Sequence, residues 1–219
     1  MNIAQLGNLI TIWAHPDDET YCCGATMAEA ARLGQRVTCV TATALGRRDQ
    51  ELRAALAALS VDDMRLLGYE DAHCQEVAAA EAVSRLTAII REVQPDSIIT
   101  FAPDGWTGHP DHRAVSAWAT AAHRQSGTSA KLYYWAVTPA WYELFNPRLC
   151  PNAYHDVTDT AVTPAGQLAL TVQPDDWQWQ RKHAAMRAHN SQIPGLIHAF
   201  GEKFLTRAHQ SEQFVLANR

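Results

Sequence analysis

The sequence predicts an α/β fold, a three-layer sandwich with a mostly parallel sheet between two layers of helices. Short apolar runs of strand length alternate along the chain with longer segments of helical periodicity. Such alternation is typical of parallel strands joined by crossover helices, which cover both faces of the sheet. The chain has 219 residues, 47% of them hydrophobic, which suffices for one full core. We therefore predict a single Rossmann-like domain over residues 1–219.

The first strand and the first helix of this prediction enclose an acidic turn. The apolar run at 9–14 indicates a buried strand, which Pro16 cannot continue because it has no N–H for a β-ladder. The next helix covers about 20–33, with Gly34 as its C-cap.

The middle of the chain repeats the strand–helix pattern. Apolar residues form each strand, and the helices carry apolar residues at helical spacing. Pro95 ends the third helix. The predicted segments are a strand at 35–43, a helix at 48–59, a short strand at 63–67, a helix at 78–93, a strand at 97–101, a helix at 112–124 and a strand at 131–137.

The pattern becomes looser from about residue 139. Prolines interrupt a segment that carries Trp141, Tyr142 and Phe145, for which we predict a hairpin or a lid over the first half. Residues 175–189 predict a last helix. No repeat, low-complexity tract or linker indicates a second domain.

Composition excludes several classes of function. The formal net charge of −5 provides no basic surface for nucleic acid. The N-terminal segment lacks the pattern of a signal peptide, and no apolar run approaches the roughly 20 residues that span a bilayer. The five cysteines show no paired spacing, so we expect reduced thiols and a cytoplasmic location. A homo-oligomer is compatible with the sequence.

Two turns with the tripeptide His-Pro-Asp carry the chemistry. His15-Pro16-Asp17-Asp18-Glu19 follows the first strand, and Gly108-His109-Pro110-Asp111-His112 follows the strand at 97–101. Ligands bind at the carboxyl ends of the strands in open α/β sheets. The two turns can therefore meet at one edge of the sheet.

These residue types suit a divalent metal. Zinc favours imidazole nitrogen and carboxylate oxygen, with three protein ligands in catalytic sites. Asp18 lies three residues after His15, so one turn can direct both at one ion, and either His109 or His112 could complete the set. Such a metal lowers the pKa of a water that it binds to about 7, and Asp17 is suited to act as a base toward that water.

The two motifs resemble those of the zinc-dependent de-N-acetylases of the PIG-L/LmbE superfamily. Further segments support the resemblance in order along the chain: Arg48-Asp49-Gln50-Glu51-Leu52, Leu67-Gly68-Tyr69, Asp156-Val157-Thr158, Lys182 and His189-Asn190-Ser191-Gln192. The resemblance implies that His15, Asp18 and His112 hold Zn²⁺, or another divalent ion such as Fe²⁺.

The resemblance also implies roles for the remaining site residues. Asp17 is expected to be the general base. His109 is expected to stabilise an oxyanion or to donate a proton, with Asp111 steadying it. We further expect Arg48 and His189 to contact the substrate.

The predicted activity is hydrolysis of the N-acyl amide of an acetamido sugar or sugar conjugate, a small-molecule substrate. One alternative is a metal-dependent phosphoesterase, which more often needs two metals about 3.5–4 Å apart. A non-catalytic glycan-binding module on the same fold is the other alternative. Such a module has no use for a free base beside the metal.

Overall fold

The computed structural model describes residues 1–43, 46–149 and 161–217, so the motif at 156–158 lies outside the described residues. The strands are β1 (Leu9–Trp13), β2 (Val37–Thr43), β3 (Asp63–Tyr69), β4 (Ser97–Phe101), β5 (Lys131–Trp135), β6 (Leu170–Val172) and β7 (Glu212–Leu216). The helices are α1 (Asp18–Arg32), α2 (Arg47–Ala58), α3 (Ala79–Val93), α4 (Gly105–Gly108), α5 (Pro110–Ser126), α6 (Pro139–Leu149), α7 (Asp176–Ala188), α8 (Ile193–Phe200) and α9 (Glu202–Ala208).

The strands form one sheet in the order β3-β2-β1-β4-β5-β7-β6. The first five pair in parallel, and β7 and β6 add two antiparallel strands at one side. All residues of β1, β2 and β4 are buried, as expected of strands covered on both faces. The mostly parallel α/β sandwich is therefore confirmed.

Helices pack on the two faces of the sheet. Helix α7 packs against α1 and α2, and α3 packs against α5. No helix in the described part of the chain is long and apolar enough to cross a membrane.

The structure differs from the sequence-based prediction mainly after β5. The segment predicted as a hairpin or lid forms helix α6, and Pro139 is tolerated there because the first helical position needs no N–H donor. For the same reason α5 begins at Pro110, which places His112 in its first turn. The pattern did not predict α8, α9, β6 or β7.

Helix α1 is interrupted near the site. Cys23 has φ −150° and ψ 22°, so the short segment at 18–22 is separated from the longer segment that follows. At this break a Cβ on Gly24 would lie 3.1 Å from Cγ of Lys182, so the stem of Lys182 passes close to the helix backbone. Lys182 of α7 thus packs against α1 at this interruption.

The strand order places the candidate site. Strands β1 and β4 are neighbours, and the chain builds the sheet outward from them in opposite directions. This is a topological switch point, where a crevice opens beyond the carboxyl ends of the two strands. Both His-Pro-Asp turns follow strands that end there.

Candidate active site

The two turns bring His15 and His112 together. Nδ1 of His15 lies 3.2 Å from Nε2 of His112. Asp18 lies against both rings, with one carboxylate oxygen 3.5 Å from Nδ1 of His15 and the other 3.5 Å from Nε2 of His112. Three side chains that offer nitrogen or oxygen ligands thus lie close together.

Asp18 is held by the turn itself. Its carboxylate accepts the backbone N–H of His15 at 2.7 Å, which closes the turn. Burial opposes ionisation of Asp18, but the charges of His112 and His15 outweigh it and hold the pKa of Asp18 well below its usual range. Asp18 is therefore a carboxylate at neutral pH.

The ring of His112 has a defined tautomer. Its Nδ1 lies 3.0 Å from the carbonyl oxygen of Gly105, so Nδ1 carries the proton and Nε2 presents its lone pair to the site. The ring stacks on Phe101 at 4.1 Å between centroids. Burial lowers the pKa of His112 to about 4, so the ring is neutral at pH 7.

The far nitrogen of His15 faces two acids. Nε2 lies 3.1 Å from the Asp111 carboxylate and 3.2 Å from that of Asp71. The Asp111 side chain is fully buried and also accepts the backbone N–H groups of Ala72 at 2.8 Å and Cys74 at 3.0 Å. In the neutral ring, an acceptor at Nε2 leaves the lone pair on Nδ1.

His109 lies beside this pair of rings. Ring nitrogens of His15, His109 and His112 lie within 4.8 Å of one another. Nδ1 of His109 accepts the backbone N–H of Asp111 at 3.1 Å and so caps α5. The expected support from Asp111 thus comes through its backbone, whereas its carboxylate contacts His15.

Asp17 lines a cavity of about 480 Å³ together with the three histidines. Its φ of 120° and ψ of −31° are unusual for a residue other than glycine. Burial raises the pKa of Asp17 to about 7, and the negative charge of Asp18 acts in the same direction. A carboxylate with this pKa is suited to accept a proton near neutral pH.

Arg48 lies at the wall of the same cavity. Its guanidinium donates to the carbonyl of Pro16 at 2.7 Å and to Asp71 at 2.9 Å, and lies 3.6 Å from the Asp17 carboxylate. Arg48 therefore compensates charge and supports the turn, besides facing the cavity.

His189, which was expected to contact the substrate, is not among the residues that line the cavity. The ring is fully buried, and its Nε2 lies 2.8 Å from the Glu19 carboxylate, which is equally buried. Burial alone would lower the pKa of His189, but the charge of Glu19 and the hydrogen bond outweigh it and raise that pKa. Glu19 is the last residue of the acidic turn, so the pair connects this turn to the C-terminal end of α7.

Sequence reasoning missed several residues that line the cavity. Asp71 lies just beyond the end of β3, at the same sheet edge, and this position is the signal that could have identified it. Glu51 accepts the N–H of Ser191 at 3.0 Å and its hydroxyl at 2.6 Å. This contact joins α2 to the turn before α8 and holds Ser191, which lines the cavity. The other missed lining residues are Tyr21, Trp106, Ser191, Gln192, Gly195 and Leu196.

Comparison with protein families gives a match over residues 10–123 to the model described as "PIG-L: GlcNAc-PI de-N-acetylase". The chain is 34% identical over 239 residues to a 1D-myo-inositol 2-acetamido-2-deoxy-alpha-D-glucopyranoside deacetylase of Streptomyces griseus, covering 84% of this chain and 74% of that protein. It is 32% identical over 213 residues to the deacetylase of the same name from Rhodococcus erythropolis, covering 80% and 69%.

A solved structure has the same fold. The zinc-inhibited form of a teicoplanin deacetylase superposes with a TM-score of 0.70 at 19% identity, covering 96% of this chain and 99% of that one. At this level of identity the likeness concerns the fold.

Proposed function

The chain belongs to the PIG-L family of de-N-acetylases, and from this premise we propose that it hydrolyses the N-acetyl amide of an amino sugar or amino-sugar conjugate. The relatives at about one-third identity are deacetylases of a sugar conjugate by name. The observation that carries the proposal is the convergence of His15, Asp18 and His112 beside the partly buried carboxylate of Asp17.

The donor set fits a divalent metal ion. In the neutral form that binds a metal, His15 and His112 each have one ring nitrogen occupied on the far side and a lone pair on the near side. Asp18 is ionised and lies against both rings. We therefore assign these three residues as ligands and propose Zn²⁺ as the ion. When bound, the ion polarises the amide carbonyl and acidifies the attacking water.

His112 is preferred over His109 as the third ligand. His109 uses Nδ1 to accept the N–H of Asp111, so in the neutral ring Nε2 carries the proton. A ring with an N–H on its remaining nitrogen is a donor. We assign His109 to the developing oxyanion, which such a donor stabilises.

Asp17 is assigned as the general base. Its carboxylate removes a proton from the attacking water as the oxygen bonds to the acyl carbon. The C–N bond then breaks, and the leaving nitrogen receives a proton from Asp17 or from His109. The products are acetate and the free amine, so one water is consumed for each amide cleaved.

A phosphoesterase with two metals is not proposed. A second metal at the site would have to be held by His15, Asp71 and Asp111. Asp111 already accepts two backbone N–H groups and faces Nε2 of His15. Its oxygens are thus used in supporting the first set of ligands.

The proposal is tested by incubating the zinc-loaded protein with N-acetylglucosamine conjugates and following loss of acetyl by mass spectrometry. We expect release of acetate and of the free amine, and a much slower reaction for Asp17→Asn. Hydrolysis of phosphate esters with no loss of acetyl from any conjugate would contradict the proposal.

A further inference from the structure

The buried pair formed by Glu19 and His189 has a contact on the side of Glu19 that faces the active site. One carboxylate oxygen of Glu19 lies 2.8 Å from Nε2 of His189. The other oxygen accepts the backbone N–H of Asp17 at 2.9 Å. We propose that this pair is a positioning device that holds Asp17 in its reactive orientation. The inference rests on the proposed function, because it takes Asp17 as the general base.

Asp17 needs such support because of its backbone. A residue with a side chain at φ 120° and ψ −31° has a strained backbone, which persists only where the surrounding contacts hold it. The carbonyl of Asp17 is fixed by α1, since it accepts N–H groups of Thr20 at 3.0 Å and Tyr21 at 3.2 Å. The amide side is fixed by Glu19. The direction of the Asp17 side chain therefore depends on the Glu19 carboxylate.

His189 compensates the negative charge of the buried Glu19 carboxylate. Neither side chain has any exposed surface, and a buried carboxylate without a partner is costly. His189 ends α7, so a positive ring at this point also suits the negative end of that helix. Its Nδ1 has no hydrogen-bond partner among the described residues, so the polar contact of the ring is with Glu19.

A second fully buried ion pair lies close by and provides a matched control. Lys182 also belongs to α7, and its Nζ lies 2.8 Å from Glu212 and 3.0 Å from the carbonyl of Tyr21. This pair joins α7 to α1 and β7 without a contact to Asp17. If removal of a buried pair lowered kcat only through lost stability, both pairs should show the same effect. The positioning of Asp17 depends on Glu19 and His189 only.

The test is a double-mutant cycle between His189→Leu and Asp17→Asn. We expect His189→Leu to keep its zinc content and its KM and to lower kcat by about ten- to hundred-fold, the scale expected of a misplaced catalytic group. In the Asp17→Asn background, His189→Leu should lower the residual kcat little further. His189→Gln should recover most of kcat, because its amide can donate to Glu19.

The control is the same cycle with Lys182→Met in place of His189→Leu. Lys182→Met and Asp17→Asn should affect kcat independently, so the fold-change of the double variant should equal the product of the two single fold-changes. If His189→Leu does not fold, the pair Glu19→Met with His189→Leu replaces both buried charges by apolar groups and should show the same coupling to Asp17.

Loss of zinc in proportion to activity, or an equal fall of kcat with and without Asp17→Asn, would overturn the inference. Near-normal turnover of Asp17→Asn alone would overturn the assignment of the base, and the positioning role with it.

Discussion

The Asp111 carboxylate lies 3.1 Å from Nε2 of His15, while Nδ1 of the same ring lies 3.2 Å from Nε2 of His112. The imidazole of His15 thus connects a buried acid with the cluster of proposed ligands. An acid at this position fixes the tautomer and the ring orientation, and raises the basicity of the nitrogen that faces the metal.

We expect Asp111→Asn to weaken zinc binding by about 10- to 100-fold, the usual effect of removing such a partner. The affinity is measured by competition with a chromophoric chelator. Asp71→Asn is the matched control, because Asp71 contacts the same nitrogen but is about half exposed. We expect a smaller effect there, and equal effects would show that Asp111 has no special role in supporting His15.

Asp17 and Asp18 are adjacent, but substitution by Asn should have different effects at the two positions. Asp17→Asn should retain zinc and lose about 10²–10⁴ in kcat, the usual contribution of general-base catalysis. Asp18→Asn should lose zinc, since an amide oxygen is a poorer ligand for a dication, and excess zinc should restore part of the activity. Metal content and kcat are measured on both proteins. Zinc loss in Asp17→Asn with retention in Asp18→Asn would exchange the two roles.

The two histidines of the second turn allow a similar test. His112→Ala should bind zinc much more weakly, whereas His109→Ala should keep its zinc and lose about 10²–10³ in kcat, as expected when an oxyanion donor is removed. Elemental analysis combined with kinetics distinguishes the two. Full zinc occupancy in His112→Ala would make His109 the ligand.

The sequence predicted the elements that depend on local patterns. Buried parallel strands and their crossover helices have strong periodicity, so β1, β4 and the turns after them were located within a residue or two. The cluster of histidines follows from topology alone, because the turns follow neighbouring parallel strands.

The parts that the sequence did not predict depend on contacts distant in the chain. Whether His189 faces substrate or the protein interior is decided by Glu19, 170 positions away, and by the packing of α7 on α1. The partner of Asp111 could not be read from the motif either. The expected partner was His109, two residues before it, but the sheet places the ring of His15 against the Asp111 carboxylate.

The protein should lose stability as the pH falls below about 6.5, partly because of His209. Burial and the nearby charge of Lys182 lower the pKa of this histidine to about 3. The unfolded chain protonates at its ordinary pKa, so between about 6.5 and 3 the unfolded state binds the extra proton. The free energy of unfolding should therefore fall by about 1.4 kcal/mol per pH unit for this residue. Urea denaturation of the wild type and His209→Gln between pH 7 and 5 should show a shallower slope in the variant. Parallel curves would contradict this assignment.

The buried pair of Lys182 and Glu212 should be the strongest ionic contribution to stability among the contacts described above. Glu212 accepts the N–H groups of Ala25 at 2.7 Å and Thr26 at 2.8 Å, so it caps the second segment of α1 where Cys23 interrupts the helix.

Removal of either partner leaves the other without its counter-charge in the interior. We expect Lys182→Met and Glu212→Gln each to lower the free energy of unfolding by about 3–5 kcal/mol. The double variant should lose clearly less than the two effects combined, because it no longer buries an uncompensated charge. Arg32→Ala is the comparison, since the Arg32 side chain is exposed and its pair with Glu29 should contribute much less than the fully buried pair. Chemical denaturation measures all four proteins. Strictly additive losses at Lys182 and Glu212 would mean that the two side chains stabilise α1 independently, Glu212 as a cap and Lys182 through the carbonyl of Tyr21.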